Sequence, residues 1–151
     1  MSTCDNYILS YRVFEKYQLA YIRYQGKVTV DRILECVKVQ YETTVLKSLN
    51  MRLVDFREAE VIYDKGENIK SEPSRIRDRL NKLQTDDSKE AILIDTPGET
   101  AFFFLYADLS KNKNKEANCF STLQAALNYL DVEMTDEEQK SLKDNMTEIV
   151  C

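Results

Sequence analysis

Between Tyr7 and Leu130, short runs of strand-forming residues alternate with longer stretches whose apolar residues recur every three or four positions. Few architectures accommodate that alternation. Strands separated by helices pair in parallel, with right-handed crossovers and helices on both faces of the sheet. The run Ala91-Ile-Leu-Ile94 is apolar throughout, as expected of a central strand covered on both sides. The opening departs from the pattern. Residues 7–14 alternate, with Tyr7, Leu9, Tyr11 and Val13 on one face, and residues 19–24 are again strand-like. The mostly polar break Glu15–Gln18 makes these two an antiparallel hairpin, with Gly26 closing its second strand.

Thr29 is positioned to cap the first long helix, whose inward stripe is Ile33, Leu34, Val37, Tyr41, Val45, Leu46 and Leu49. A third strand spans 51–56, and Ala59–Tyr63 reads as an extended loop. Glu67–Leu83 is helix-like, with Pro73 marking where a regular helix begins. Thr96-Pro-Gly-Glu99 opens a helix carrying Phe102-Phe-Phe-Leu105. It combines a hydroxyl cap, proline at the first helical position and a glutamate able to reach back. Ala117–Phe120 is a fifth strand. Ser121-Thr-Leu-Gln124 is a capping box opening the next helix, and Thr135-Asp-Glu-Glu138 opens a tail helix with Leu142, Met146, Ile149 and Val150 inward. The expected fold is α/β: a mixed, mostly parallel sheet of four to five strands with an N-terminal antiparallel hairpin strand, flanking helices and a C-terminal tail helix.

Composition narrows the chemistry. The 151 residues contain no His, so Ser-His-Asp and Cys-His nucleophile systems and His-ligated metals are excluded. Three scattered glycines cannot build a phosphate-cradling loop. The net charge of −5 argues against a nucleic-acid partner. The segment Arg75–Lys82 contains Asp78 and reads as the solvated face of a helix. The first thirty residues lack a signal-peptide pattern, and no apolar run approaches a membrane span. These point to a cytoplasmic protein without membrane insertion. The four cysteines, Cys4, Cys36, Cys119 and Cys151, lack the close pairs of a zinc site. In the cytoplasm they are expected as reduced thiols, with Cys36 and Cys119 buried as small hydrophobes and Cys4 and Cys151 in fraying termini.

Three segments in order resemble a known family. Leu19-Ala-Tyr-Ile-Arg-Tyr-Gln-Gly-Lys-Val-Thr29 is similar to the strand, glycine and pre-helix threonine that open small bacterial STAS/CRAL-TRIO-like proteins. Leu53-Val-Asp-Phe-Arg-Glu-Ala59 resembles their V-D-L-R-x-A strand. Asn118-Cys-Phe-Ser-Thr-Leu-Gln-Ala-Ala-Leu-Asn-Tyr-Leu130 resembles their closing helix, with Tyr129 replacing the usual Trp. The resemblance spans roughly residues 5–131, making 1–131 a STAS-like domain and 132–151 a helical extension. It implies a four- to five-stranded mixed sheet with flanking helices, often in homodimers. In its better-known members, the anti-sigma-factor antagonists, it also implies binding to a kinase-like partner switched by serine phosphorylation. Aligned from Asp55, that serine position is Asp64, beside the matching Gly66. A carboxylate there cannot take the phosphate, and it carries about one charge against phosphoserine's roughly 1.5–2.

Other candidate residues follow from position. Asp55 and Asp95 each fall at the carboxyl end of an expected parallel strand, the edge where open α/β sheets bind ligands. If those strands are neighbours, the two carboxylates are able to share a proton or hold magnesium as a metal-dependent hydrolase. Otherwise each simply brackets a nearby loop or helix start. The start at Thr96–Glu99 suits an anion on its exposed N–H groups, although Glu99 would repel phosphate, which leaves a capping box. Phe102, Phe103 and Phe104 fan across roughly 200° of one helix, so they cannot all face one sheet. With Tyr106 they suggest a dimer contact or, alternatively, a pocket for a lipid-like or other apolar ligand. The expectation is a non-enzymatic regulatory domain acting by protein binding, with no cofactor.

Overall fold

The computed structural model describes residues 6–62, 78, 88–96, 107–108 and 115–151. Six strands form one sheet: β1 (Tyr7–Phe14), β2 (Leu19–Thr29), β3 (Met51–Ile62), β4 (Ser88–Leu93), β5 (Lys115–Phe120) and β6 (Thr147–Ile149). Their spatial order is β5-β4-β3-β2-β1-β6. β1 pairs antiparallel with both β2 and β6, while β2–β3, β3–β4 and β4–β5 are parallel. This is the mostly parallel α/β sheet with an antiparallel opening strand.

Side chains alternate between two cores, as the two-residue period of a strand requires. Leu9, Ala20, Ile22, Tyr24, Val54, Phe56 and Ile92 pack on one face against helix α1 (Val30–Glu42). Leu19, Tyr21, Leu53, Ala91 and Leu93 pack on the other against helix α3 (Leu123–Leu130). The β1 face expected from alternation is the one used: Leu9 is buried, and Tyr7, Tyr11 and Val13 pack half-buried beside it. The hairpin turns through a short 3-10 segment, Glu15–Tyr17, with Gln18 left-handed at φ 53°.

Several local expectations hold. Thr29 caps α1, its hydroxyl accepting from the Arg32 amide. Others change. The first helix does not run on to Asn50. It stops at Thr43, whose hydroxyl donates to the Val39 carbonyl, and resumes as the four-residue α2 (Thr44–Lys47). The kink turns Val45 outward, half exposed, while Leu46 and Leu49 stay buried. The cap of α3 is Thr122 rather than Ser121, accepting from the Ala125 amide.

Gly26 does not close β2. The strand passes through it at φ +91° and continues to Thr29. A Cβ at this position would run into the Asn6 carbonyl oxygen, so both conformation and close approach select glycine. β3 likewise continues through Ala59 to Ile62, and the expected loop there is strand, paired with β2 as far as Thr29↔Ile62.

The largest departure is the tail. The capping box at Thr135 and Glu138 forms as expected, but helix α4 (Asp136–Lys140) is only five residues long. Leu142 is then anchored in the α3-side core, Asn145 turns with φ 54°, and the chain becomes β6 on the edge of β1. The apolar spacing that suggested a helix instead serves a strand. Ile149 and Cys151 point to the α1-side core, and Val150 between them is 94% exposed. The sheet therefore has one strand more than expected.

The cysteines also differ from expectation. Cys36 of α1 and Cys151 form a disulfide with Cα atoms 5.5 Å apart. Cys119 is buried and takes no part in it. Cys4 lies outside the described residues.

Candidate functional site

The β2–β3 register slips between Arg23↔Asp55 and Gln25↔Glu58, so β3 carries one extra residue there. Such a bulge leaves backbone groups without ladder partners and re-aims side chains. Asp55 resolves it. Its Oδ1 accepts from the Arg57 amide at 3.0 Å and from Arg57 Nε at 2.9 Å, and its Oδ2 accepts from Arg57 Nη2 at 2.8 Å. The Tyr21 hydroxyl, donating from β2, reaches the same Oδ2 at 2.7 Å. A carboxylate offers about four lone-pair sites, and these four bonds fill them.

Asp55 is 2% exposed. Burial pushes its pKa up, but the bonds from Arg57 and Tyr21 outweigh burial and hold it below the usual carboxylate range. Burial, reinforced by the neighbouring Asp55 charge, raises the Tyr21 hydroxyl far above the ordinary phenol range. The Arg57 guanidinium is raised by its bond to Asp55. At neutral pH the trio is a fixed anion-cation pair with a neutral phenol.

Just beyond the bulge, Arg23 bonds to Glu58 at the surface, and Lys143, from the segment after α4, lies 3.5 Å from the same carboxylate. Burial raises Glu58, yet Arg23 and Lys143 draw it below its ordinary value.

Asp95 is exposed, two residues past the end of β4. The strands are neighbours, and Asp55 stands opposite Leu93 at the last β3–β4 pair. The two aspartates thus lie near the end of the β3–β4 ladder, but Asp55 is not at the carboxyl end of its strand as expected, because β3 continues on β2 to Ile62, and its hydrogen bonds run to Arg57 and Tyr21. Asp55 has no acceptor capacity left for a cation shared with Asp95. Among the described residues, no group of three or more Cys, Asp or Glu converges as a metal site would. Asp64, Phe102, Phe103, Phe104 and Tyr106 lie outside the described residues, as do positions 97–99 of the Thr96 turn. Ala107, directly after the aromatic run, is buried in the α1-side core. Asp78 is helical and exposed.

A second polar cluster was invisible in the sequence. On the α1 side of β3, Arg52 is 3% exposed. Its Nη1 donates to Gln40 Oε1 at 2.8 Å, its Nη2 reaches the Leu46 carbonyl at 3.4 Å, and its guanidinium lies 4.4 Å from the Tyr41 ring centroid. Gln40 in turn donates to the Tyr24 hydroxyl, and Tyr24 stacks on Phe56 at 4.4 Å. Among the described residues, Arg52 Nε has no hydrogen-bond partner. One strand over, Lys115 and Glu90 form a buried ion pair at 2.7 Å. No local motif signals this cluster, because its members are spread over β2, α1, α2 and β3.

No helix among the described residues is long and apolar enough to cross a membrane. No family model matches the chain, and no curated protein matches it. Among solved structures it is similar to an uncharacterized protein of the DUF3478 family with a SpoIIAA-like fold from Shewanella loihica PV-4. The two share 14% sequence identity and a TM-score of 0.48, over 86% of this chain and 98% of that one. The strand order, register and two-faced core of this chain define its fold independently of that likeness.

Proposed function

We propose that this chain is a STAS-like regulatory domain of the cytoplasm that acts by binding a protein partner, forms a homodimer and performs no chemistry of its own. The observation that carries this reading is the state of Asp55. It is the buried carboxylate at the last β3–β4 pair, in the interior of β3, and Arg57 and Tyr21 take up all of its acceptor sites. A group so occupied braces a surface. It does not move protons or hold a cation. The D-x-R spacing of Asp55 and Arg57 thereby gains a structural purpose. Asp64, at the position where the resembling regulators carry their switch serine, makes recognition by the partner independent of phosphorylation at that residue.

The test has two arms on the full chain. Calorimetry with Mg²⁺ and Mn²⁺ is expected to show no binding. A partner captured from the native cell, purified and titrated back, is expected to bind saturably. A cation isotherm or cation-dependent hydrolysis that disappears in Asp55→Asn overturns the reading. Light scattering that finds a monomer across the micromolar range removes the homodimer.

A further inference from the structure

The C-terminal strand is held by two different means of unequal strength. Its pairing with β1 covers only Leu9–Tyr11, through Ile149, Glu148 and Thr147. Thr147, Glu148 and Val150 are exposed, and Ile149 is only half-buried. A three-residue edge strand with so little apolar burial is marginal by itself. The second means is covalent, and it reaches across the sheet edge to α1: Cys151 to Cys36. The two sulfurs differ in access. Cys36 is fully buried, whereas Cys151 is partly exposed. Cys151 lines an open groove of about 260 Å³ with Tyr7, Ile8, Arg32, Glu148 and Ile149. The Tyr7 hydroxyl lies 3.6 Å from the Cys151 sulfur and 3.7 Å from that of Cys36.

We propose that Cys36 and Cys151 form a redox-controlled clasp, and that opening it releases residues 147–151 from the edge of β1 while the rest of the sheet stays folded. The reaction is thiol–disulfide exchange with a dithiol. A thiolate of the dithiol attacks Cys151 Sγ through the groove, the S–S bond breaks, and Cys36 leaves with the electron pair and takes up a proton. The Tyr7 hydroxyl stands within reach to donate to that sulfur. The second thiol of the dithiol then displaces Cys151, which is protonated in turn. Two protein thiols form and the dithiol ends as a disulfide, so two electrons and two protons are transferred. The reverse exchange, with an oxidised dithiol, closes the clasp. Opening it exposes the β1 edge between Leu9 and Tyr11, whose backbone groups β6 otherwise covers.

Peptide mapping of the oxidised full chain, alkylated without reduction, is expected to yield a linked peptide containing Cys36 and Cys151. Hydrogen exchange is then compared before and after treatment with dithiothreitol. Amides of residues 147–149 and those of β1 that face them are expected to exchange at least tenfold faster after reduction. Amides of β2 and β3 should be unchanged, and trans-4,5-dihydroxy-1,2-dithiane should restore protection. Cys151→Ser is expected to show the fast exchange at once and to ignore the reductant. Absence of the linked peptide, unchanged exchange on reduction, or a loss of protection that spreads through β2 and β3 would each overturn the proposal. The last outcome would make the bond a global staple. Because wild-type reduction gives the same readout, a Cys151→Ser chain that fails to fold leaves the test intact.

Discussion

β3 buries two charges, Arg52 and Asp55, and they face opposite layers of the molecule. Asp55 looks toward α3 and is saturated by Arg57, two residues along β3, and by Tyr21, diagonally placed on neighbouring β2. Arg52 looks toward α1 and is held by a side chain of α1, a carbonyl of α2 and the Tyr41 ring. Among the described residues it has no carboxylate within ion-pair distance, and its Nε has no acceptor. A buried charge is costly unless it is paired and hydrogen-bonded. The first site meets that requirement through a strand bulge, and the second meets it incompletely through tertiary packing. The first should therefore be the stiffer, and its loss should cost more.

The largest expected effect comes from Asp55→Ala, which strands Arg57 and the Tyr21 hydroxyl and should destabilise by about 3–4 kcal/mol in urea unfolding. The same bond network sets a pH dependence. The folded-state pKa of Asp55 is depressed, so its stabilisation is complete above the unfolded carboxyl value of about 3.9. It is lost as pH falls through the lower folded value. Acid unfolding followed by circular dichroism should lose this component in Asp55→Asn.

Next is Lys115→Met, which leaves buried Glu90 without its ion-pair partner and should cost about 3 kcal/mol, whereas the double change Glu90→Leu with Lys115→Met should return to within about 1 kcal/mol of wild type. A double variant as unstable as the single one would show that this pair is positively stabilising. Arg52→Met should cost about 1–2 kcal/mol, since it forfeits two hydrogen bonds and the contact with Tyr41 but also removes an unsatisfied N–H. If Arg52→Met proves as damaging as Asp55→Ala, the contrast between the two sites fails. Smallest is Arg23→Ala. Its bond to Glu58 lies at the surface, and thermal unfolding should register about 0.5 kcal/mol or less.

The same contrast explains what was legible in the sequence. Local patterns were: the alternation of Tyr7–Val13, the Thr29 cap, the Thr135 capping box and the apolar run of β4 all appear where expected. The placement of Asp55 was legible only in part: a strand over 51–56 would put it at the carboxyl end, whereas β3 runs on to Ile62 and leaves Asp55 the fifth of its twelve residues. The bulge was not, because it exists only as a relation between β2 and β3. Nor was the Arg52 cluster, whose members meet only after four elements have packed. The tail misled because Met146, Ile149 and Val150 satisfy helical spacing, while Ile149 and Cys151 equally satisfy a strand's. Nothing at 146–151 separates the two. What does is the edge of β1 that awaits a partner, together with Cys36, 115 positions away.

The strand order has a kinetic consequence. The hairpin β1–β2 needs only a short turn, and β2–β3 closes over one helical crossover. The β1–β6 ladder instead joins residues near opposite ends of the chain. Loop-closure entropy makes it the most expensive pairing to reach, and it wins only three residue pairs. During folding, the outer side of β1 therefore remains uncovered until the neighbouring ladders have formed. Association between partly folded chains should be most acute in that interval, and it should recede once β6 has settled.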